Sequence, residues 1–123
     1  DASEEIWARV GAGASRLLVG LFVFRSCHLE PVILNREPAV FPLGGTVRIQ
    51  TGLECTDGDR DGTPDLIAYE AESNDGTAFV GTGKVYRQSN ATLTLVATVP
   101  ISYSVTDSAA RRYGTFMCGA LRL

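Results

Sequence analysis

The chain has 123 residues, of which 45% are hydrophobic, and its formal net charge is −3. A chain of this length forms one domain that can bury a core without needing a metal ion or disulfides. The slightly acidic balance excludes a basic field that would attract nucleic acid or an anionic membrane, so we expect no nucleic-acid partner and no membrane insertion. Arginine outnumbers lysine ten to one, which we attribute to GC-rich coding and which favours a bacterial source.

The first residues have a helical pattern, because Asp1 and Glu4 have the spacing of a capping pair and a short apolar face follows. The members of that face are Ile6, Trp7 and Val10. The pattern predicts a short helix or arm over residues 1–16, ahead of a β domain over residues 17–123. Trp7 is expected to be a packing anchor, since large aromatic side chains usually act by burying area.

The rest of the chain alternates strand-like runs with turn residues, which predicts an all-β fold, a single antiparallel β-sandwich or small barrel. The most apolar run, residues 17–24, is shorter than the roughly 20 residues that cross a bilayer, and it predicts a buried central strand. Hairpin turns are expected at residues 74–76 and 89–91. Pro100 predicts either two strands or an edge strand with a bulge over residues 93–105. The other predicted strands cover residues 29–34, 39–43, 46–55, 66–72, 78–88 and 113–123.

Four aspartates occupy odd-numbered positions within nine residues, where they would repel one another unless a cation held them together. They are Asp57, Asp59, Asp61 and Asp65. Such oxygen ligands suit Ca²⁺, which takes about 6–8 of them, and Gly62 allows the sharp turn that the loop requires. We therefore predict a calcium site formed by the four carboxylates, with the Thr63 carbonyl and water completing the shell. It is not an EF-hand, because Ala68 would occupy the position of the bidentate Glu.

Residues 55–67 contain the pattern D-x-D-x-D-G-x-x-D-L, which begins at Asp57 and is followed by a strand-like run. This segment resembles the calcium loop of integrin-like FG-GAP and VCBS repeats. In that family the acidic residues ligate calcium between two strands of a propeller blade, and the resemblance implies the same role for the four aspartates. Propellers contain about 4–8 blades, whereas this chain has one such loop. We therefore expect a single calcium loop set in a small β domain.

The chain has three cysteines, Cys27, Cys55 and Cys118. Calcium loops of this kind are most useful outside the cell, and that compartment also permits disulfides. We favour a Cys55–Cys118 bridge, whose loop closure would stabilise the fold by roughly 4 kcal/mol, over a bridge that uses Cys27 or three buried thiols. A zinc site is not expected, because there is no C-x-x-C and the only histidine, His28, adjoins Cys27 on a strand.

Few residues suggest catalysis, since His28 has no nucleophile motif to serve. Glu70 and Glu72 share one face of a strand and have the form of a glycosidase carboxyl pair, although a solvent-facing strand shows the same alternation. We therefore expect a secreted or cell-surface calcium-binding domain that acts as a binding or adhesion module rather than as an enzyme. Its loops 74–77 and 89–91 are candidates for protein or glycan contact. The alternatives are a small glycan hydrolase that uses both glutamates and a fragment of a larger propeller or adhesin.

Overall fold

The computed structural model of the chain describes most of its backbone. The described residues are 4–12, 16–25, 27–46, 48–56, 65–89, 91–108, 110–118 and 121–122. Side chains are described for residues 6–11, 17–24, 27–46, 48–55, 65–89, 91–108, 110 and 113–117. Four of the predicted calcium ligands, Asp57, Asp59, Asp61 and Thr63, lie outside this part of the chain.

Strands make up nearly all of the described structure. They are β1 Glu4–Ala12, β2 Arg16–Arg25, β3 His28–Pro31, β4 Ile33–Leu34, β5 Glu37–Pro38, β6 Val40–Gly45, β7 Ile49–Thr56, β8 Asp65–Glu72, β9 Ala78–Ser89, β10 Thr92–Ser104, β11 Phe116–Cys118 and β12 Leu121–Arg122. A 3-10 helix, Ala110–Gly114, precedes β11, and the described residues contain no α-helix. The all-β prediction is confirmed.

The predicted N-terminal helix is wrong, because the first described residues form β1. This strand pairs antiparallel with β2 along its whole length, from Glu4 opposite Phe24 to Ala12 opposite Leu17. Its Trp7 lies edge-on to Phe116, with ring centroids 5.1 Å apart. Tertiary packing of this large side chain outweighs the weak local preference for helix. The predicted role of Trp7 as a packing anchor is confirmed.

The strands form one sheet that curls into a half-barrel. Its main path runs β1-β2-β6-β7-β8-β9-β10-β4-β5, and β3, β11 and β12 pair off this path. β2 lies in the interior, with β1 on one side and β6 and β3 on the other, as its apolar sequence predicts. Most neighbours are antiparallel, but β10 with β4 and β11 with β7 form short parallel pairings.

Two clusters of buried side chains lie on opposite faces of strands β7 to β10. Residues that pair across strands point to the same face. The larger cluster defines the inner face, and its members are Val19, Leu21, Val23, Val32, Ala39, Phe41, Leu43, Leu53, Leu66, Tyr86, Leu93 and Phe116. The smaller cluster, Ala71, Phe79 and Tyr103, defines the outer face, and Tyr113 of the 3-10 helix packs against it.

Stacked aromatic rings fasten the 3-10 helix to the outer face. Tyr113 stacks on Tyr103 with ring centroids 4.5 Å apart, and Tyr103 stacks in turn on Phe79 at 5.3 Å. Tyr103 also donates its hydroxyl to Gln50 Oε1 at 2.5 Å, which connects the cluster to β7. Burial is the larger cause that raises the pKa of Tyr103, and electrostatic interaction with the neighbouring Tyr113 raises it further. The C-terminal part of the chain is therefore held to the sheet before β11 begins.

The hairpin predicted at residues 74–76 is confirmed and is internally hydrogen-bonded. Asp75 Oδ1 accepts from the backbone N–H of Thr77 at 2.8 Å and of Ala78 at 3.1 Å. Ser73 Oγ accepts from the N–H of Gly76 at 2.8 Å. Gly76 has a φ of 79°, a left-handed conformation that glycine adopts without steric cost. The turn between β8 and β9 is thus organised by its own side chains.

Replacing Asp75 by Asn should make stability less sensitive to acid. The Thr77 N–H and the other bonds to the carboxylate lower the pKa of Asp75, so this carboxylate stabilises the fold above its unfolded pKa of about 4. That contribution is lost as the pH falls through the lower, folded pKa. Urea unfolding between pH 2 and pH 7 should therefore show a smaller acid loss for the variant. If the free energy of unfolding falls equally with acid in the wild type and the variant, this prediction is contradicted. Glu72→Gln is the control.

The prediction for residues 93–105 is resolved in favour of an edge strand with a bulge. β10 continues through Pro100, and its register with β9 shifts between Leu95 and Ala97. Its other side pairs with a described strand at one position, Thr92 opposite Ile33. Pro100 fits there because a proline without an N–H is tolerated where the missing donor would face away from the sheet. β9 and β10 pair antiparallel up to Ser89 opposite Thr92, as the predicted turn at 89–91 requires, and Asn90 of that turn lies outside the described residues.

Candidate functional site

Of the five predicted calcium ligands, Asp65 is the one that the structure describes. It is the first residue of β8 and pairs with Thr56, the last residue of β7. Residues 57–64 therefore connect two adjacent antiparallel strands. The other four predicted ligands lie outside the described residues.

The carboxylate of Asp65 is buried, and one of its two oxygens accepts no hydrogen bond from a described residue. Its side chain is 6% exposed, and Oδ1 has no hydrogen-bond partner among the described residues. Arg87, which lies opposite on β9, approaches with its Nε 3.6 Å from Oδ1. This separation allows attraction between the charges but is too long for a hydrogen bond. An oxygen in this state is costly to bury, and coordination to a cation would remove the cost.

Cys27 and Cys55 are in different states. Cys27 is an exposed free thiol, so a bridge through Cys27 and a set of three buried thiols are both wrong. Cys55 is disulfide-bonded. The side chain of Cys118 lies outside the described part, but β11 runs parallel to β7 with Phe116 opposite Leu53. Continuing this register brings the Cys118 backbone beside Cys55, which supports the Cys55–Cys118 bridge as a prediction.

Glu70 and Glu72 lie on the same face of β8, as the sequence predicts, and both are exposed. They line two different pockets. Glu70 lines a pocket on the inner face, whereas Glu72 lines a separate depression with Asn74 and Asp75. A pair of glycosidase carboxyls must flank one bound sugar. This arrangement gives the hydrolase alternative no support.

Sequence reasoning missed the pocket that contains Glu70. The pocket has a volume of about 190 Å³ and lies between β6 and the inner face of β7, β8 and β9. Apolar residues Phe41, Pro42, Leu53 and Ala68 and polar residues Glu70, Thr82, Lys84 and Tyr86 line it. We refer to it as the inner-face pocket. The alternation of Thr82, Lys84 and Tyr86 in the sequence indicates that these three side chains share one face of β9. No local pattern shows that β6 lies close to that face.

Within the described residues, no group of three or more His, Cys, Asp or Glu side chains could hold a metal ion. That observation does not cover residues 57–64 of the predicted calcium loop, which lie outside the described part of the chain. The described part of the chain also has no helix long and apolar enough to cross a membrane. Comparison with protein-family models, with curated proteins and with solved structures finds no match to this chain.

Proposed function

We propose that the chain is a secreted or cell-surface β domain that binds one structural Ca²⁺ ion in the loop between β7 and β8. The ligands would be the carboxylates of Asp57, Asp59, Asp61 and Asp65, the carbonyl of Thr63 and water. The observation that carries the proposal is the buried Oδ1 of Asp65, which has no hydrogen bond among the described residues.

Calcium would stabilise this carboxylate better than Arg87 does. A Ca²⁺ ion binds a carboxylate oxygen at roughly 2.3–2.6 Å, whereas the guanidinium Nε is 3.6 Å away. The Arg87 side chain is 46% exposed, so water can solvate its charge when the ion takes over Asp65. The ion would also neutralise the repulsion among the other three aspartates of the loop. Both effects favour binding of a Ca²⁺ ion at this loop.

A structural role follows from the position of the loop. Cys55, which is disulfide-bonded, lies two residues before the loop, and Asp65 begins the next strand. An ion held between them would fix how β7 and β8 meet at this end of the sheet. On this proposal the domain acts as a binding or adhesion module, with the hydrogen-bonded turn at residues 74–77 and the turn at 89–91 as contact loops. A fragment of a larger adhesin or propeller is the alternative.

Calcium added to chelator-stripped protein should raise the melting temperature, and magnesium should not. At a calcium concentration one hundred times Kd, the native state gains about 2.7 kcal/mol. For a domain of this size the gain corresponds to roughly 10 °C. The measurement is a calorimetric melt at several calcium concentrations. The absence of any shift at millimolar calcium would overturn the proposal.

Asp65→Asn gives the sharper test because it should lower the melting temperature relative to the wild type only when calcium is present. The variant keeps the shape of the side chain but removes a buried charge, so the calcium-free protein should be no less stable than the wild type. With calcium it should lose most of the rise in melting temperature, as should the double variant Asp59→Ala, Asp61→Ala. Glu72→Gln, which removes an exposed carboxylate from the same strand, should keep the full rise.

A further inference from the structure

We propose that the inner-face pocket binds a small zwitterion with an apolar body, of the class of a free apolar α-amino acid. This proposal does not depend on the calcium loop. It rests on a pocket with an apolar floor whose rim carries one cation and one anion that do not pair with each other.

The floor of the pocket supplies apolar contact for a ligand side chain. Leu53 is fully buried and Phe41 is 6% exposed, so both support the floor from beneath. Pro42 and Ala68 are half-buried and present apolar surface to the pocket. The rings of Phe41 and Tyr86 are tilted against each other with centroids 6.1 Å apart. Neither ring can therefore turn away from the pocket without disturbing the core. A branched aliphatic or aromatic ligand group would find a preformed surface there.

The rim carries charges of both signs on adjacent strands. Glu70 pairs with Thr82, and Lys84 pairs with Ala68, so Glu70 and Lys84 are diagonal neighbours on the inner face. Diagonal positions are about 7–8 Å apart. The side chains of Glu70 and Lys84 form no ion pair or hydrogen bond with another described residue. A ligand with an ammonium and a carboxylate group would satisfy both of them.

Tyr86 adds a directional donor beside Lys84. Tyr86 is 7% exposed, and it lines the pocket. The hydroxyl makes no hydrogen bond to a described residue. Burial raises the pKa of Tyr86, so the phenol keeps its proton at neutral pH. We assign the ligand carboxylate to Lys84 and Tyr86 and the ligand ammonium to Glu70.

The size and charge of the pocket argue against other ligand classes. A volume of about 190 Å³ is below the roughly 300–1,000 Å³ of pockets that take drug-sized molecules, so a long glycan or peptide does not fit inside. A purely anionic ligand would lie beside the Glu70 carboxylate, and a purely cationic one beside Lys84. In each case a like charge would oppose binding. The zwitterion avoids both penalties.

The test is a titration of the ¹⁵N-labelled full chain, followed by amide chemical shifts. L-leucine and L-phenylalanine should give saturable shifts at Thr82, Lys84 and Tyr86. Two analogues of leucine carry one charge each: 4-methylpentanoate lacks the ammonium group, and 3-methylbutylamine lacks the carboxylate. Each should bind at least tenfold more weakly than leucine. Equal binding of leucine and 4-methylpentanoate would overturn the proposal in favour of a simple anion site.

Two variants separate the roles of the charged groups. Lys84→Gln should weaken the binding of leucine and of 4-methylpentanoate but not that of 3-methylbutylamine. Glu70→Gln should weaken the binding of leucine and of the amine but not that of 4-methylpentanoate. Glu72→Gln is the matched control, because Glu72 lies on the same strand and face but outside the pocket. The absence of saturable shifts at 10 mM amino acid, or leucine affinity that is unchanged in both pocket variants, would overturn the proposal.

Discussion

Replacing Phe116 by Ala should lower the free energy of unfolding by about 3–5 kcal/mol, because the substitution removes a fully packed aromatic ring from the core. Phe116 is 1% exposed and belongs to the larger cluster, which joins residues from most of the sheet. Its ring also meets Trp7 edge-on, an arrangement that adds to the stabilisation from buried area. Urea unfolding of both proteins measures the difference directly.

The control for this experiment is the same substitution at an exposed phenylalanine. Phe24 on β2 is 44% exposed, so Phe24→Ala should cost no more than about 1 kcal/mol. If Phe116→Ala does not fold, Phe116→Leu keeps most of the volume and should cost about 1.5 kcal/mol. Equal losses for Phe24→Ala and Phe116→Ala would show that Phe116 is not a core residue.

Replacing Gly81 by Ala should be among the most destabilising single changes in the sheet. A Cβ at this position would lie 1.9 Å from the carbonyl oxygen of Glu70 and 2.6 Å from the Cα of Ala71. These are backbone atoms of β8, and they can yield only if β8 and β9 move apart. We expect a loss at or above the upper end of the roughly 1–3 kcal/mol typical of overpacking. Urea unfolding and amide hydrogen exchange in β8 and β9 would measure it.

Gly83 provides the comparison, because it lies two residues further along β9 on the same face. A Cβ there would meet the ring of Tyr69 at 3.1 Å. A side chain can shift by a few tenths of an ångström where a paired backbone cannot. Gly83→Ala should therefore cost clearly less than Gly81→Ala, and a larger loss at Gly83 would contradict the described register of β8 and β9.

The sequence predicts those parts of the fold that local chemistry determines. Alternating apolar residues and turn signals identify most strands, and Pro100 indicates the edge position of β10. The N-terminal helix is wrong because Trp7 is held by Phe116, which is distant in sequence, and no pattern within the first residues contains that contact. The predicted strand over residues 113–123 likewise begins within a 3-10 helix, because Tyr113 stacks on the ring of Tyr103.

The candidate sites also have features that are local in the sequence and features that depend on contacts between distant strands. The spacing of the aspartates, and hence a cation loop, can be predicted from the sequence because all of its members are close together in the chain. The burial of Asp65 and its position opposite Arg87 depend on the register of β8 with β9, which the sequence does not state. The inner-face pocket depends on Phe41 and Pro42 of β6 lying close to residues of β8 and β9. Contacts of this kind arise only when distant strands come together.

The contact between Trp7 and Phe116 has a consequence for how the chain acquires its structure. Trp7 and Phe116 are far apart in the sequence, so this contact cannot form until Phe116 has emerged from the ribosome. Folds dominated by such distant contacts form in milliseconds to seconds, more slowly than helical bundles. During synthesis Trp7 on the β1–β2 hairpin therefore stays without this ring partner, and such exposed apolar surface is what chaperones protect.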